Sequence, residues 1–194
     1  MADALTLWLA TKAQANIPTT LIAGGPPAFT GVLAQQVFDT KYGITWWSDG
    51  TNWHANGPGQ VMARLYLTTT YNPGTSPAVL AFDTKSYDPL GIATTGAGAK
   101  ITVPLSGRYS IATYVKFGPT TSAGAIYIYK NGVQLLFSGN VPALAYVGEE
   151  ISDPGLLLNA GDYLQVATSS SGGQNLQVDV VGGIPFLTAT FASV

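Results

Sequence analysis

The chain has 194 residues, 46% of them hydrophobic and only 9% charged, with a formal net charge of −2, one histidine and no cysteine. The missing cysteine excludes disulfides and thiolate metal sites. With no Lys/Arg cluster to neutralise a phosphate backbone, a nucleic-acid partner is not expected. Ordinary soluble domains carry roughly 25% charged residues, so this sparse charge points to a surface largely covered by other protein.

The opening segment, MADALTLWLATKAQANIP, has neither the basic start nor the continuous apolar core of a secretory signal. No uninterrupted apolar run approaches the ~20 residues that span a bilayer. Synthesis in the cytoplasm and no membrane insertion are therefore expected. Asp3 to Ala15 has helix-forming content and stops before Ile17-Pro18, where proline disfavours a helical residue in front of it. A free-standing helix and an arm ordered by a neighbour are both compatible with it.

Leu21 to Phe29 contains Gly24-Gly25-Pro26-Pro27, a turn or extended connector. Two tight hairpins are expected next. Gln36 to Phe38 and Ile44 to Trp47 flank the turn Asp39 to Gly43, and Asn52 to His54 follows the turn Asp49-Gly50. Three tryptophans in eight residues, Trp46, Trp47 and Trp53, would staple a unit too small for an ordinary core. Asn56-Gly57-Pro58-Gly59 then marks a boundary.

Beyond it, short strands alternate with Gly, Pro and Asn turns, which is the pattern of an all-β sandwich. Strands are expected at Val61 to Leu67, Ala78 to Phe82, Ile101 to Pro104 and Arg108 to Phe117. The last of these sets Tyr109, Ile111, Thr113, Val115 and Phe117 on one face. Ala125 to Tyr129 is apolar on both faces, so Tyr127 and Tyr129 should meet a neighbouring layer or another subunit while Ile126 and Ile128 meet the core. Asn131-Gly132 turns the chain into Val133 to Phe137. Leu156 to Leu158, Tyr163 to Thr168, Leu176 to Val181 and Phe186 to Phe191 complete about ten strands.

Little here resembles catalytic chemistry. The single His54 has no second imidazole for a metal. Glu149-Glu150 would point to opposite faces if extended, so the pair cannot flank one bond; a solvated edge or loop is expected there. Asp153, Asp162 and Asp179 lack EF-hand spacing, and Gly96-Ala97-Gly98 opens no helix. No enzyme activity, cofactor or metal is expected. The tryptophans could stack on a sugar ring, but a mini-domain core or an anchor on a partner is the favoured reading.

The ordered series Ala81-Phe82-Asp83, Tyr87-Asp88, Ile101 to Pro104, Ser106 to Tyr109, Lys130 to Gly132, Asn159 to Asp162 and Phe186 to Phe191 resembles the globular head of complement-component and tumour-necrosis-factor-like proteins. The likeness covers roughly residues 63 to 194. It implies a ten-stranded jelly roll that assembles as a homotrimer, with interface residues Tyr127, Tyr129, Tyr163 and Phe191. The tryptophan hairpin from Val37 to Trp53 looks like one common in bacteriophage tail-fibre and other virion proteins. The two resemblances together imply a virion-surface protein. Residues 1–56, with Trp8, Trp46, Trp47 and Trp53, would attach it to a major capsid or tail protein. Residues 57–62 would link that part to the head at 63–194. A decoration or head-fibre role is expected, with a receptor-binding fibre tip or a lectin-like glycan-binding module as the alternatives. In the first alternative, loops such as Pro119 to Gly124 and Ser138 to Val147 would meet a host surface glycan.

Overall fold

The structure, a computed structural model, describes residues 20–22, 24–56, 59–118, 123–141, 148–170, 176, 178 and 183–193. The expected helix or arm at Asp3 to Ala15, Trp8, and most of the loops and strand expected at Pro119 to Gly124, Ser138 to Val147 and Leu176 to Val181 lie outside these residues. The described chain is all-β, with fifteen strands and no helix. It divides into two compact units, Met1–Gln60 with Ser193–Val194, and Val61–Ala192.

The first unit is a four-stranded sheet in the order β1-β2-β3-β4. Its strands are β1 (Thr20–Ile22), β2 (Gln36–Asp39), β3 (Ile44–Ser48) and β4 (Trp53–Asn56). The expected hairpins form β2 to β4, while β1 lies parallel to β2, where the sequence suggested only a connector. Period-2 alternation puts Val37, Ile44, Trp46 and Trp53 on one buried face and Trp47 and His54 on the other. Trp46 is fully enclosed, so this small sheet has a core of its own.

Asp39 ties the unit together. Its buried carboxyl accepts the backbone amides of Gly25 (2.7 Å), Lys41 (2.9 Å), Tyr42 (3.2 Å) and Gly24 (3.3 Å). Both glycines sit at φ 118°, a conformation that L side chains rarely adopt, and this lets two successive amides face the same carboxyl.

The second unit is a sandwich with a jelly-roll strand order. A five-stranded sheet runs β13-β10-β15-β5-β7. It uses β5 (Met62–Tyr66), β7 (Thr84–Tyr87), β10 (Gly107–Lys116), β13 (Gly148–Leu158) and β15 (Phe186–Ser193). The second sheet runs β12-β11-β14-β9-β8, with β6 on the same edge of β14 as β9. Its strands are β6 (Ala78–Val79), β8 (Ala93–Thr94), β9 (Lys100–Thr102), β11 (Gly124–Lys130), β12 (Val133–Val141) and β14 (Tyr163–Ser170). The core between them takes the inward residues of each long strand. Tyr109, Ile111 and Val115 come from β10, Leu187, Ala189 and Phe191 from β15, and Ile126, Ile128, Leu164 and Val166 from the facing sheet. Tyr109 packs edge-on against Phe191 at 5.4 Å, and its hydroxyl donates to the Leu105 carbonyl at 2.9 Å.

Two readings of the sequence are corrected. Ala78 to Phe82 pairs only as far as Val79, with Leu80 and Phe82 buried beyond the ladder. Thr84–Tyr87, mostly exposed and without alternation, and the two-residue Ala93–Thr94 are strands that the sequence did not suggest. Glu149 and Glu150 lie, as expected of a solvated edge, in the eleven-residue edge strand β13. That strand carries Pro154, which is tolerated because an edge strand has one side without ladder partners. Its register against β10 shifts there, between Tyr109/Leu156 and Ile111/Asp153.

Replacing Asp39 by Ala leaves four backbone amides without their acceptor and should cost the first unit about 2–4 kcal/mol. All four tryptophans lie in Met1–Gln60, so the urea transition followed by tryptophan fluorescence should move to lower denaturant. The transition followed by tyrosine or β-sheet signals of the second unit should stay in place.

Candidate functional site

Among the described residues, the outward face of the second sheet carries an exposed aromatic cluster. Alternation along β11 sends Ile126 and Ile128 inward and leaves Tyr127 and Tyr129 half-buried on the outside. Directly opposite Tyr127 on β12 stands Phe137, 54% exposed, with its ring 5.0 Å from the tyrosine. Tyr129 lies 6.2 Å from Tyr127, and the exposed Leu135 lies further along β12 toward the hairpin turn. Tyr163 on β14 shares this face, with the Lys100 ammonium 4.8 Å above its ring. A contiguous apolar patch of this kind marks an interaction surface. Covering a half-exposed phenylalanine stabilises by roughly 1 kcal/mol.

The turn that presents this hairpin is locked by one carboxylate. Asn131 (φ 54°) and Gly132 (φ 78°) form the tight turn expected for an Asn-Gly pair. Asp162 receives Lys130 at 2.8 Å, the Asn131 side-chain amide at 2.7 Å and the Asn159 backbone amide at 2.8 Å. These donors, Lys130 first, hold its carboxyl at about 2, below the ordinary aspartate value. Asn131 in turn accepts the Tyr163 amide at 2.9 Å, so the β11–β12 turn and the start of β14 move as one body.

A second outward face belongs to the five-stranded sheet. Tyr114 stacks on Phe186 at 6.3 Å, and the Arg64 guanidinium lies 4.6 Å over the Phe186 ring. Gly148 and Gly183 press their backbones on the Tyr114 ring, where a methyl group would collide. Beside this stack a shallow cleft of about 270 Å³ is lined by Arg64, Tyr66, Ser86 and Ile184.

In the first unit, Trp47 is 41% exposed and stacks on His54 at 4.6 Å. His54 Nε2 lies 2.9 Å from the Asp49 carboxylate. Hydrogen bonds from the Asn52 amide, His54 and the Thr51 amide hold that carboxyl well below the usual carboxylate range.

The structure separates the residues the sequence grouped. Of the expected attachment residues, Trp47 is exposed. Trp53 is nearly enclosed, and Trp46 is fully interior to the hairpin core. Of the expected interface residues, Tyr127, Tyr129 and Tyr163 share one outward face. Phe191 is a core residue at 1% exposure, because its place in β15 points it inward against Tyr109. Phe137 was the missed member; its signal was its phase in the strand after Asn131-Gly132, opposite a tyrosine already placed outside. Among the described residues, no three His, Cys, Asp or Glu side chains cluster as a metal site would require.

Fold and surfaces define an all-β protein whose second unit is a jelly-roll sandwich with exposed aromatic faces. No protein-family model matches the chain, and no curated protein matches it in sequence. Among solved structures, it is similar to Eiger TNF from S. frugiperda, with 14% identity over 68% of this chain and 92% of that one and a TM-score of 0.47. It is likewise similar to murine APRIL at pH 5.0, with 17% identity over 68% of this chain and 98% of that one and a TM-score of 0.47.

The Asp162 lock has a defined pH dependence. Its folded value lies below the unfolded value near 3.9, so its contribution is complete above about pH 4 and is lost as the pH falls toward 2. Thermal melts across that window should show the wild type losing more stability than Asp162→Asn.

Proposed function

We propose that the chain is a non-enzymatic structural protein of a phage virion, a homotrimer whose jelly-roll head faces outward and whose Met1–Gln60 unit anchors it to the particle. The observation that carries the self-association is the Tyr127–Phe137–Tyr129 surface. It is a hydrophobic, charge-poor patch on a chain with only 9% charged residues. A cyclic trimer is joined heterologously, each protomer offering two different patches. The outward side of the five-stranded sheet, with Tyr114, Phe186 and Arg64, is the second patch in this reading. The virion setting rests on the resemblance of the tryptophan hairpin to those of virion proteins. Trp47, the exposed member, is its contact to a capsid or tail protein.

A receptor-binding fibre tip is the second reading. It is favoured by the presentation of Val133, Leu135 and Phe137 on a hairpin held rigid by Asp162.

Sedimentation of the full chain tests the oligomer. The wild type should run as a trimer at micromolar concentration, and Tyr127→Arg and Thr188→Arg, one on each face, should each run as monomers with unchanged far-UV spectra. A monomeric wild type, or trimers for both variants, would overturn the reading. Attachment is read separately: full-length Trp47→Glu should fail to sediment with particles that retain the wild-type chain.

A further inference from the structure

A cleft of about 390 Å³ opens on the first unit beside the buried tryptophans. One side is apolar: Pro26, Pro27, the half-exposed ring of Phe29 and the edge of Trp53. The other side is polar but uncharged, formed by Thr30, Thr51 and Asn52. The Thr30 and Thr51 hydroxyls and the Asn52 side-chain amide make no hydrogen bond to any of the described residues. The cleft therefore offers two hydroxyls and one amide, each able to donate and accept, beside a flat hydrocarbon wall.

Both walls are held in place before any ligand arrives. The Trp53 indole N–H donates to the Phe29 carbonyl at 2.8 Å, and the two rings meet edge to face at 5.6 Å. Gly31 passes so close to Ser48 and Trp53 that a Cβ there would overlap them, which pins the connection carrying Phe29 and Thr30. In the turn carrying Thr51 and Asn52, the Asp49 carboxylate accepts the Thr51 amide at 2.8 Å and the Asn52 amide at 2.7 Å, with His54 closing its other oxygen at 2.9 Å. The ionisable groups near the cleft are thus engaged with each other. What faces outward is neutral. A preformed site loses little entropy on binding.

We infer that this cleft binds a neutral saccharide, the C–H face of a sugar ring lying on Phe29 and the proline pair while its hydroxyls exchange hydrogen bonds with Thr30, Thr51 and Asn52. A sugar ring has an apolar face and a rim of groups that both donate and accept, and the two walls match those halves. A charged glycan would lose hydration of its carboxylate or sulfate with no cation among the described lining residues to replace it. The inference goes beyond the trimeric head, since it concerns a site in Met1–Gln60 and none of the residues used above for self-association. The exposed Trp47 projects from the other face of the same sheet, so the saccharide site and the proposed particle contact do not overlap.

The test uses the full chain on a glycan array, followed by titration with chitotriose and maltotriose read by tryptophan fluorescence and calorimetry. At least one neutral trisaccharide should bind, with Phe29→Ala and Asn52→Ala each weakening it roughly tenfold or more. Trp47→Ala should bind as the wild type does. Asn52 is exposed, so its variant should melt with the wild type and keep the test valid if Phe29→Ala is unstable. No binding of either trisaccharide up to about 10 mM and no neutral hit on the array would overturn the inference. So would binding unaltered by both variants, or a site that takes only acidic glycans or a proline-rich peptide.

Discussion

The constraint on which the head depends is the return of its last strand between two early ones. β15 lies between β10 and β5, with Phe186 opposite Tyr66 and Thr190 opposite Met62, so the sheet closes only when residues more than a hundred positions apart have met. The loop-closure entropy of that pairing must be met before its contacts stabilise anything. What offsets it is the apolar seam carried by β15 itself. Leu187, Ala189 and Phe191 fill the centre of the core, and Phe191 meets Tyr109 of the adjoining strand. The same pairing sets which side of each strand is left outside, and therefore where Phe186 can stack on Tyr114 and receive Arg64.

The few acidic residues have a common use. Asp39, Asp49, Asp83, Asp88 and Asp162 accept backbone amides at the end of a strand or within a turn, and Asp153 accepts one at the register shift inside β13. Hydrogen bonds to a charged acceptor are stronger than neutral ones, by about 1 kcal/mol each. In a chain so rich in Gly and Pro, such acceptors decide which of many accessible turn geometries persists. Two of them also hold a cation beside the turn: Asp88 pairs with Lys85 at 2.7 Å, and Asp162 with Lys130. The carboxylates organise loops, and the loops in turn present aromatic surfaces.

Those surfaces occur at two scales. On the head they are broad sheet faces suited to another protein, with rings in contact and little charge nearby. On the small unit they are narrow: the exposed Trp47 on one side of the sheet, and on the other a cleft with polar and apolar lining. Large flat patches and small two-walled clefts select different partners, because a protein surface can cover the first and only a compact ligand fits the second.

Sequence by itself determined the elements whose signal is local. The alternation of Arg108 to Phe117, the Asn131-Gly132 turn, the tryptophan hairpins and the two-sided strand at Ala125 to Tyr129 are legible because a period of two and a left-handed turn residue are properties of adjacent residues. What only the tertiary structure decided is non-local. Glu149 to Leu158 has charges and a proline where an alternating strand would have apolar residues, and it is a strand because β10 offers it an open edge. Trp46 and Trp47 are neighbours with the same side chain, yet one is enclosed and the other exposed. Which face turns inward depends on the layer that covers it. Phe191 and Tyr127 look equally apolar in sequence, but one is interior and the other lies outside. That choice is made by the packing of two sheets, and no run of adjacent residues encodes it.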